Sequence, residues 1–165
     1  MALQLRDVVM ASDGYRRAEA AGLGIGVTEA VALGELHHHG PLSPSALVTR
    51  LGIASASVTA LLDRLTAAGL IVRERHPTDR RSVLVVLTPR GRRTTSAMSA
   101  LYAEAVLAAV REAHPEHVRE FTAVLADIAA SLRRRAADPA TVADDLARRA
   151  GEGEADASPG PVQLV

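Results

Sequence analysis

The amino-acid sequence predicts a mainly α-helical fold that carries one small β-hairpin. Apolar residues recur at three- and four-residue steps over most of the chain, which is the periodicity of amphipathic helices. β-Branched and apolar residues instead run consecutively in two short segments, residues 71–72 and 83–87, which suits the pleated surface of a strand pair. Glycine or proline stands at many boundaries between these segments, so we expect short elements joined by turns.

Two helices are predicted before residue 40. Residues 2–21 form the first, an amphipathic helix with apolar side chains near one face and charged side chains mostly off it. Glycines at positions 22, 24 and 26 break this pattern and predict a turn over residues 21–27. Thr28 has the hydroxyl needed to cap a second helix, which ends in the histidine tract of residues 37–39.

A third and a fourth helix are predicted on either side of Gly52. Ser43 can cap the third helix through its hydroxyl, and Pro44 follows at the first helical position, where a missing N–H costs nothing. Gly52 lies just past the last apolar residue of this helix, where a left-handed cap needs no Cβ. The fourth helix ends at Gly69 in the same way. Its apolar side consists of Val58, Leu61, Leu62 and Leu65.

The two strands flank a polar turn at residues 76–81, in which proline and aspartate favour a bend. Thr88 and Pro89 then repeat the cap-and-proline signal and begin a fifth helix. A helix, a turn, a second helix and a hairpin follow one another in this order over residues 42–88. This order is typical of a winged helix-turn-helix, a unit that reads DNA.

Two longer helices are predicted after the hairpin, over residues 89–113 and 115–135. In the second of them, apolar side chains step by three, four, three and four residues, which makes a seam suited to a partner helix. The seam consists of Val118, Phe121, Leu125, Ile128 and Leu132. Packing of this seam within one chain is the alternative. We favour a core shared by two chains, in which Leu5 and Val8 of the first helix join the seam at the dimer interface.

The chain is therefore divided into four regions. Residues 1–27 are an N-terminal dimerisation helix and turn, 28–88 the winged helix-turn-helix DNA-binding region, and 89–135 the C-terminal dimerisation helices. Residues 136–165 are predicted to be an acidic, largely disordered tail, since they hold two arginines and six acidic residues. A short helix through Ala150 is expected at the start of this tail.

Several groups of residues between positions 51 and 91 carry a family resemblance. They are Leu51-Gly52-Ile53, Val58-Thr59, Leu61-Leu62-Asp63-Arg64-Leu65, Gly69-Leu70-Ile71, Arg73, Asp79-Arg80-Arg81 and Leu87-Thr88-Pro89-Arg90-Gly91. In this combination the sequence resembles the MarR family of bacterial transcriptional regulators, over most of residues 1–135. The resemblance implies an obligate homodimer, binding to a palindromic operator in double-stranded DNA, and often release by a small phenolic or other lipophilic ligand.

Charge is unevenly distributed along the 165 residues, although the formal net charge is zero. Residues 40–95 hold nine arginines and three acidic residues, a net charge of +6 that suits a phosphate backbone. The chain has no cysteine, which excludes disulfides, thiolate zinc sites and cysteine-based peroxide sensing. No run approaches the length of a membrane span, and Arg6 and Asp7 interrupt any N-terminal signal core, so we expect a cytoplasmic protein with no membrane partner.

Candidate base-reading residues lie in the first turns of the fourth helix, because a helix in the major groove reads bases from its N-terminal end. Ser55, Ser57 and Thr59 present hydroxyls there, which can donate or accept hydrogen bonds. The MarR family often has serine at the position of Ala54 and arginine at Ser55 or Ala60. These departures remove long guanine-reading side chains, so we expect modest base readout and more dependence on DNA shape.

The hairpin tip supplies a second group of candidate residues. Arg80 and Arg81 are predicted to enter a minor groove, where narrow A·T-rich DNA concentrates negative potential. Asp79 is predicted to brace the tip by accepting charge-assisted hydrogen bonds from Arg64 or Arg81. Candidate phosphate contacts are Arg50, Arg64, Arg73, Arg75 and Arg90.

The family resemblance implies an effector pocket between the paired helices and the DNA-reading region. Candidate lining residues are Tyr15, Leu33, Leu36 and His37. Each of these four residues has an alternative role as an ordinary core or surface residue.

The histidines leave a zinc-responsive regulator open as a minor alternative. Residues 37–39 are three successive histidines, and His114 and His117 form a second pair. Consecutive helical residues point about 100° apart, however, so the tract cannot direct all its rings at one ion. We therefore predict no metal site and no cofactor.

Two other classes of function compete with a DNA-binding regulator. A winged-helix module that binds proteins instead of DNA has weak support from Ala54 and Ala60, whereas Asp79-Arg80-Arg81 argues against it. An enzyme has no support, because the sequence lacks a nucleophile–base pattern, a glycine loop after a strand and a His-Glu-x-x-His helix. No catalytic residue is predicted.

Overall fold

The computed structural model describes residues 1–79 and 82–156, with side chains described up to residue 151. Its elements in chain order are α1 (Ala2–Leu23), α2 (Val27–His39), α3 (Pro44–Leu51), α4 (Ser55–Ala67), β1 (Ile71–Arg75), β2 (Val83–Leu87), α5 (Pro89–Val110), α6 (Pro115–Ala136) and α7 (Pro139–Asp156). The predicted mainly helical fold with one hairpin is confirmed. The chain divides into two compact units, Met1–Ala108 and a second unit that begins at Ala109.

The core of the first unit is made of aliphatic side chains from α2, α3, α4 and the hairpin. Its largest fully buried hydrophobic residues are Leu33, Leu47, Leu61, Leu62, Leu65, Ile71, Val58 and Val85. No aromatic residue is among the buried core residues of the described chain, as expected for a sequence with so few aromatics. The buried side of α4 consists of the four residues that its periodicity predicted.

The hairpin is antiparallel, and its register pairs Ile71 with Leu87 and Arg75 with Val83. β1 is longer than the two residues predicted for it, because the polar residues that follow Val72 continue the ladder. Leu42, just before α3, adds a bridge to the other edge of β2 through two backbone hydrogen bonds with Val85, at 2.8 and 3.2 Å. The hairpin is therefore tied to the helix-turn-helix through the outer edge of β2.

Most of the predicted helix boundaries are confirmed by their caps. The Ser43 hydroxyl accepts the Ala46 N–H at 3.1 Å, and the Thr88 hydroxyl accepts the Gly91 N–H at 2.9 Å. Gly52 ends α3 with a left-handed φ of 64°. Each of these caps uses residues that are adjacent in sequence, which explains why sequence reasoning found them.

The predicted cap of α2 is wrong. The helix begins at Val27 with Gly26 as its N-cap, so Thr28 lies inside the first turn. The carboxylate of Glu29, at the third helical position, reaches back and accepts the Gly26 N–H at 2.9 Å. An acidic side chain at this position can satisfy a free amide as well as a hydroxyl cap can, and it displaces the boundary by two residues.

The first turn of α5 packs directly on the backbone between α4 and β1. A Cβ placed on Gly91 would lie 2.0 Å from the Leu70 carbonyl oxygen, so only glycine fits there without movement. The Thr88 hydroxyl also donates to the Gly69 carbonyl at 2.8 Å. We call this set of contacts the α5 joint (Gly69, Leu70, Thr88 and Gly91).

The second unit contains α6 and α7. Asp138 caps α7 by accepting the Thr141 N–H at 3.1 Å and the Thr141 hydroxyl at 2.7 Å, and the hydrogen bond from that hydroxyl is the main reason why the pKa of Asp138 is lowered. Arg135 of α6 pairs with Asp145 of α7 at 3.4 Å. The predicted short helix is therefore present, but it continues to Asp156, where the sequence predicted disorder from residue 151 onward.

In the described part of the chain, no single helix combines the length and apolarity that a membrane crossing requires. The pair α3 and α4 meets the length and composition criteria together, but the two helices meet at an angle of 112° and contribute residues to the core.

Candidate nucleic-acid interface

The three predicted base-reading residues lie on the exposed surface of the first turns of α4, with Ser55 and Thr59 on one flank and Ser57 about 160° or more away around the helix. Ser55, Ser57 and Thr59 are all exposed, whereas Val58 between them is buried. The Thr59 hydroxyl donates to the Ser55 carbonyl at 3.2 Å, so it keeps its acceptor lone pairs and its methyl group for other contacts. This surface of α4 can thus accept hydrogen bonds and touch apolar groups, but it has no long side chain in its first two turns.

The N-terminal end of α4 has a backbone that is open to an anion. Ala54 is the N-cap and, within the described residues, no side chain accepts the first amides of the helix. Free amides at a helix N-terminus bind phosphate, aided by the helix dipole. This end of the helix lies beside the hydroxyl-bearing side chains of Ser55 and Ser57.

Four of the five arginines predicted to contact phosphate already have partners within the chain. Arg50 pairs with Glu35 at 3.0 Å, and Arg73 pairs with Asp63 at 2.7 Å. These pairs link α2 to α3 and α4 to β1, respectively, and they hold the guanidinium groups at the surface of the helix-turn-helix.

Arg90 and Arg75 differ from those two. Arg90 donates to the Ala68 carbonyl at 2.8 Å and so caps the C-terminal end of α4, a structural role that the sequence did not predict. Arg75 lies exposed at the end of β1 and has no side-chain partner among the described residues. Arg75 therefore lacks a partner to hold its guanidinium away from a phosphate.

The predicted wing arginines, Arg80 and Arg81, lie outside the described residues. Asp79, just before them, is described. Its carboxylate accepts the Ser82 hydroxyl at 2.5 Å, and its backbone N–H donates to Nδ1 of His76 at 3.2 Å. Arg64, one of the two donors predicted for Asp79, pairs with Glu29 instead. Asp79 thus takes part in the turn through partners that the sequence did not identify.

His76 is a wing residue that sequence reasoning missed. Its ring nitrogen Nδ1 lies 3.2 to 3.3 Å from the Thr78 and Asp79 amides and the Thr78 hydroxyl. The His76 N–H donates to the Ser82 carbonyl at 3.0 Å, which closes the base of the tip. The signal that could have identified His76 is its position: a polar side chain can accept the amides of the residues two and three places later in a turn.

Glu29 is a second missed residue, and it lies on α2, where its side chain pairs with Arg64 of α4. It is 6% exposed, and it is the one ionisable residue among the buried residues of the described chain. Burial by itself would raise the pKa of Glu29, but hydrogen bonds from the Gly26 N–H and from Arg64, together with the Arg64 charge, outweigh it. The net effect lowers the pKa, so the carboxylate is ionised at neutral pH.

The four residues predicted to line an effector pocket are divided among different environments. Leu36 and His37 line a cleft of about 380 Å³ beside Arg92 and Ser96. Leu33 is fully buried in the core and lines neither this cleft nor the larger one described next. Enclosure by neighbouring aliphatic side chains is the physical reason that Leu33 is inaccessible.

A larger cleft, of about 510 Å³, opens among α1, α2 and α5. Tyr15 packs edge-on against Tyr102, one of its lining residues, with ring centroids 5.7 Å apart. Glu19 also lines this cleft, and its buried Oε1 has no hydrogen-bond partner among the described residues. Burial raises the pKa of Glu19, and the nearby charge of Arg16 offsets this only in part.

The histidine tract is occupied by local interactions. His37 Nδ1 lies 3.0 Å from the Thr95 hydroxyl, and His39 Nε2 lies 3.6 Å from a Glu35 oxygen. Among the described residues, no group of three or more histidine, aspartate, glutamate or cysteine side chains is arranged to hold a metal ion. The zinc-responsive alternative thus gains no site from this part of the chain.

Three helices, α2, α3 and α4, form a core against which a β-hairpin packs, and α4 keeps part of its surface exposed. This arrangement defines the winged helix-turn-helix class of proteins. Residues 23–82 match the sequence model of the MarR family. This match agrees with the resemblance to the MarR family that the motifs between residues 51 and 91 predicted.

Curated relatives give a similar result. The chain is 39% identical over 72 residues to the uncharacterized HTH-type transcriptional regulator YcgE of Bacillus subtilis (strain 168), covering 44% of this chain and 47% of the relative. It is 38% identical over 68 residues to the uncharacterized HTH-type transcriptional regulator YkoM of the same organism, covering 41% and 44%. The matches thus span a little under half of each relative. Both relatives are described as regulators, in agreement with the prediction that the chain is not an enzyme.

Solved structures resemble this fold over a larger part of the chain. A MarR family protein from Bacillus stearothermophilus superimposes with a TM-score of 0.72 at 20% identity, covering 80% of this chain and 92% of that protein. MepR, a transcription regulator of the Staphylococcus aureus multidrug efflux pump MepA, gives a TM-score of 0.64 at 20% identity, covering 80% and 98%. At this level of identity, the likeness establishes the fold.

Proposed function

We propose that this protein is a transcriptional regulator, most simply a repressor, that binds a palindromic operator in double-stranded DNA as a homodimer. The exposed side of α4 carries the proposal, because Ser55, Ser57 and Thr59 occupy the turns that enter a major groove in this class. The concentration of arginines between residues 40 and 95 supports it with a net charge of +6. The descriptions of the curated relatives agree with it.

Arginines around the recognition helix supply affinity in this proposal. Arg50, Arg64, Arg73 and Arg75 contact phosphates and fix the position of α4 on the duplex. Arg90 is a weaker candidate, since its guanidinium caps α4. Base readout then depends on Ser55, Ser57 and Thr59, whose short side chains discriminate less than arginine or glutamine would.

The wing adds a contact with the minor groove, carried by Arg80 and Arg81. The hydrogen bonds among His76, Asp79 and Ser82 support this assignment, because they fix the described residues on either side of positions 80 and 81. We expect Arg81→Ala to weaken operator binding about tenfold, since a minor-groove arginine contributes about 1–2 kcal/mol. Gel-shift titration at physiological salt measures this, with a thermal melt to verify folding. Unchanged affinity would show that the wing does not bind DNA.

Apolar side chains that remain exposed in one chain support the homodimer. On α1, Val8 is 59% exposed, and on α6, Phe121 and Leu132 are 57% and 60% exposed. Leu5, Val118 and Ile128 are half-buried and Leu125 is exposed, so the predicted interface residues all retain surface for a partner. Burial of such surface contributes roughly 25 cal/mol per Å². A second copy of the chain is the partner that we propose.

Release by a small lipophilic or phenolic ligand completes the proposal. The cleft of about 510 Å³ is large enough for such a molecule, and Tyr102 and Met98 give it an aromatic and apolar lining. Because α1, α2 and α5 all line this cleft, a ligand there would contact the helices that lead to the DNA-reading region.

Selection of genomic DNA fragments by the purified protein tests the proposal. We expect recovery of a palindrome whose half-sites lie about one helical turn apart, and an affinity that falls steeply with salt. Recovery without sequence preference, or no binding at any salt concentration, would instead support a winged-helix module that binds proteins. The absence of long base-reading side chains in the first two turns of α4 is the observation that keeps this second candidate in view.

A further inference from the structure

We propose that Glu29 is a positioning residue for DNA recognition: its buried carboxylate holds Nε of Arg64, so that the Nη groups of this arginine are presented to a DNA phosphate. The inference rests on the proposed function. It adds to DNA binding a residue that lies on α2, outside α4. Glu29 is in the first turn of α2, whereas Arg64 is on α4, 35 positions later.

The geometry uses each oxygen of the carboxylate once. Oε2 of Glu29 accepts the Gly26 N–H at 2.9 Å, and Oε1 accepts Nε–H of Arg64 at 2.5 Å. The Glu29 side chain is 8% exposed, whereas the Arg64 side chain is 62% exposed. One end of this ion pair is therefore fixed in the interior, while the rest of the guanidinium reaches solvent.

A buried carboxylate holds its partner more firmly than a surface carboxylate does. Burial without hydrogen bonds is costly for an ionised group, so the structure that satisfies both oxygens is strongly favoured. The other two arginine pairs of the helix-turn-helix use acids that water reaches more easily, because the Glu35 and Asp63 side chains are 28% and 61% exposed. Exposed pairs of that kind contribute little and restrict the arginine weakly.

The point of attachment determines what Arg64 can still bind. Nε is the inner donor of the guanidinium, and the Arg64 side chain has no further partner among the described residues. The Nη groups at the outer edge therefore remain available, and an arginine edge with two donors matches a phosphate. Because the orientation is set before DNA arrives, less side-chain entropy is lost on binding.

The test compares operator affinity, at several salt concentrations, for wild type, Glu29→Gln, Arg64→Ala and the double variant. We expect Glu29→Gln to weaken binding about tenfold, even though loss of a negative charge alone would strengthen it. Arg64→Ala should weaken binding at least as much and reduce the slope of log K against log salt by about 0.9. The double variant should bind no more weakly than Arg64→Ala, since Glu29 acts through that arginine.

Glu116→Gln is the matched control, because it makes the same change in charge at an exposed acid on α6. Its affinity should stay within about twofold of wild type. Thermal melts of all variants establish the folded fraction. A nitrogen-15 spectrum of the free protein supplies a readout that is independent of DNA: the Arg64 Nε–H should exchange slowly in wild type and rapidly in Glu29→Gln.

Three results would overturn the inference. Folded Glu29→Gln with unchanged affinity, additive losses in the double variant, or an Arg64 Nε–H that exchanges equally fast in both proteins would each do so. If Glu29→Gln does not fold, the spectrum of the wild-type protein is the test. Rapid exchange of the Arg64 Nε–H in that spectrum would overturn the inference. Failure of wild type to bind any DNA would overturn the proposed function and this inference together, and it is distinguishable from failure in the variants only.

Discussion

At the scale of single residues, the pKa values of two acidic side chains of the first unit are shifted in opposite directions, although burial by itself raises both. Glu29 has a partner for each oxygen, whereas one oxygen of Glu19 is buried without a partner among the described residues. The pKa of Glu29 is consequently lowered, and that of Glu19 is raised, chiefly by burial. The stability of the protein should depend on pH in opposite directions through these two residues.

The ionised form of Glu29 is favoured by folding, so its contribution to stability is complete above its unfolded pKa of about 4.3. That contribution is lost as the pH falls through the lower folded value. We therefore expect Glu29→Gln to be less stable than wild type at pH 7 and the difference to shrink below about pH 4. Denaturant titration over this pH range measures it.

Glu19→Gln is the internal control, because its effect on stability should depend on pH in the opposite direction to that of Glu29→Gln. A raised pKa means that the folded state binds the proton more tightly, so wild type loses stability as the pH rises above about 4.3. The glutamine variant should be at least as stable as wild type at pH 7. A stability difference for Glu29→Gln that stays constant from pH 7 to pH 3 would contradict the assigned ionisation.

At the scale of elements, the α5 joint connects the recognition helix to the long helix α5. The Thr88 hydroxyl bonds the Gly69 carbonyl, Gly91 lies against the Leu70 carbonyl, and Arg90 bonds the Ala68 carbonyl. All of these carbonyls lie between the end of α4 and the start of β1. Movement of the first turn of α5 would therefore displace the C-terminal end of α4.

Gly91→Ala tests the α5 joint. Alanine usually favours a helix over glycine by about 1 kcal/mol, but here its Cβ would lie 2.0 Å from a backbone oxygen. We expect a net loss of about 1–3 kcal/mol in the free energy of unfolding, because the two backbones must separate. Gly22→Ala in α1, where a Cβ meets nothing within 4 Å, is the control and should not destabilise. Equal stability of both variants would show that the joint yields without cost.

At the scale of the whole molecule, many large apolar side chains of the described residues are exposed to solvent in the single chain. Those on α6 are arranged as the sequence predicted, at three- and four-residue steps. Phe121 and Leu132 are the most exposed members of that seam. A homodimer would remove them from water, and the proposed operator symmetry requires one.

Phe121→Glu combined with Leu132→Glu should shift the protein toward monomer, because four carboxylates would be buried without partners in each dimer. Sedimentation at micromolar concentration measures the change. Leu146→Glu on α7 is the control, since this leucine is equally exposed but lies outside the seam. A double variant that sediments like wild type would show that the seam is not the dimer interface.

Local signals in the sequence determined most of the elements of this fold. Ser43, Gly52 and Thr88 form their caps with neighbours in the chain, and the buried side of α4 follows from a repeat within one helix. The family motifs between residues 51 and 91 depend on the same local order. Such features can be derived from sequence because the interacting groups are only a few residues apart.

Only the tertiary structure decided how the charged residues are paired. The sequence offers several acidic partners for each arginine, and from it we predicted that Arg64 could pair with Asp79. In the folded chain Arg64 pairs instead with Glu29, 35 residues away. The sequence likewise did not indicate that Arg90 would cap α4 through the Ala68 carbonyl. Pairings of this kind depend on which surfaces meet when helices pack, and chain spacing and periodicity alone do not contain that information.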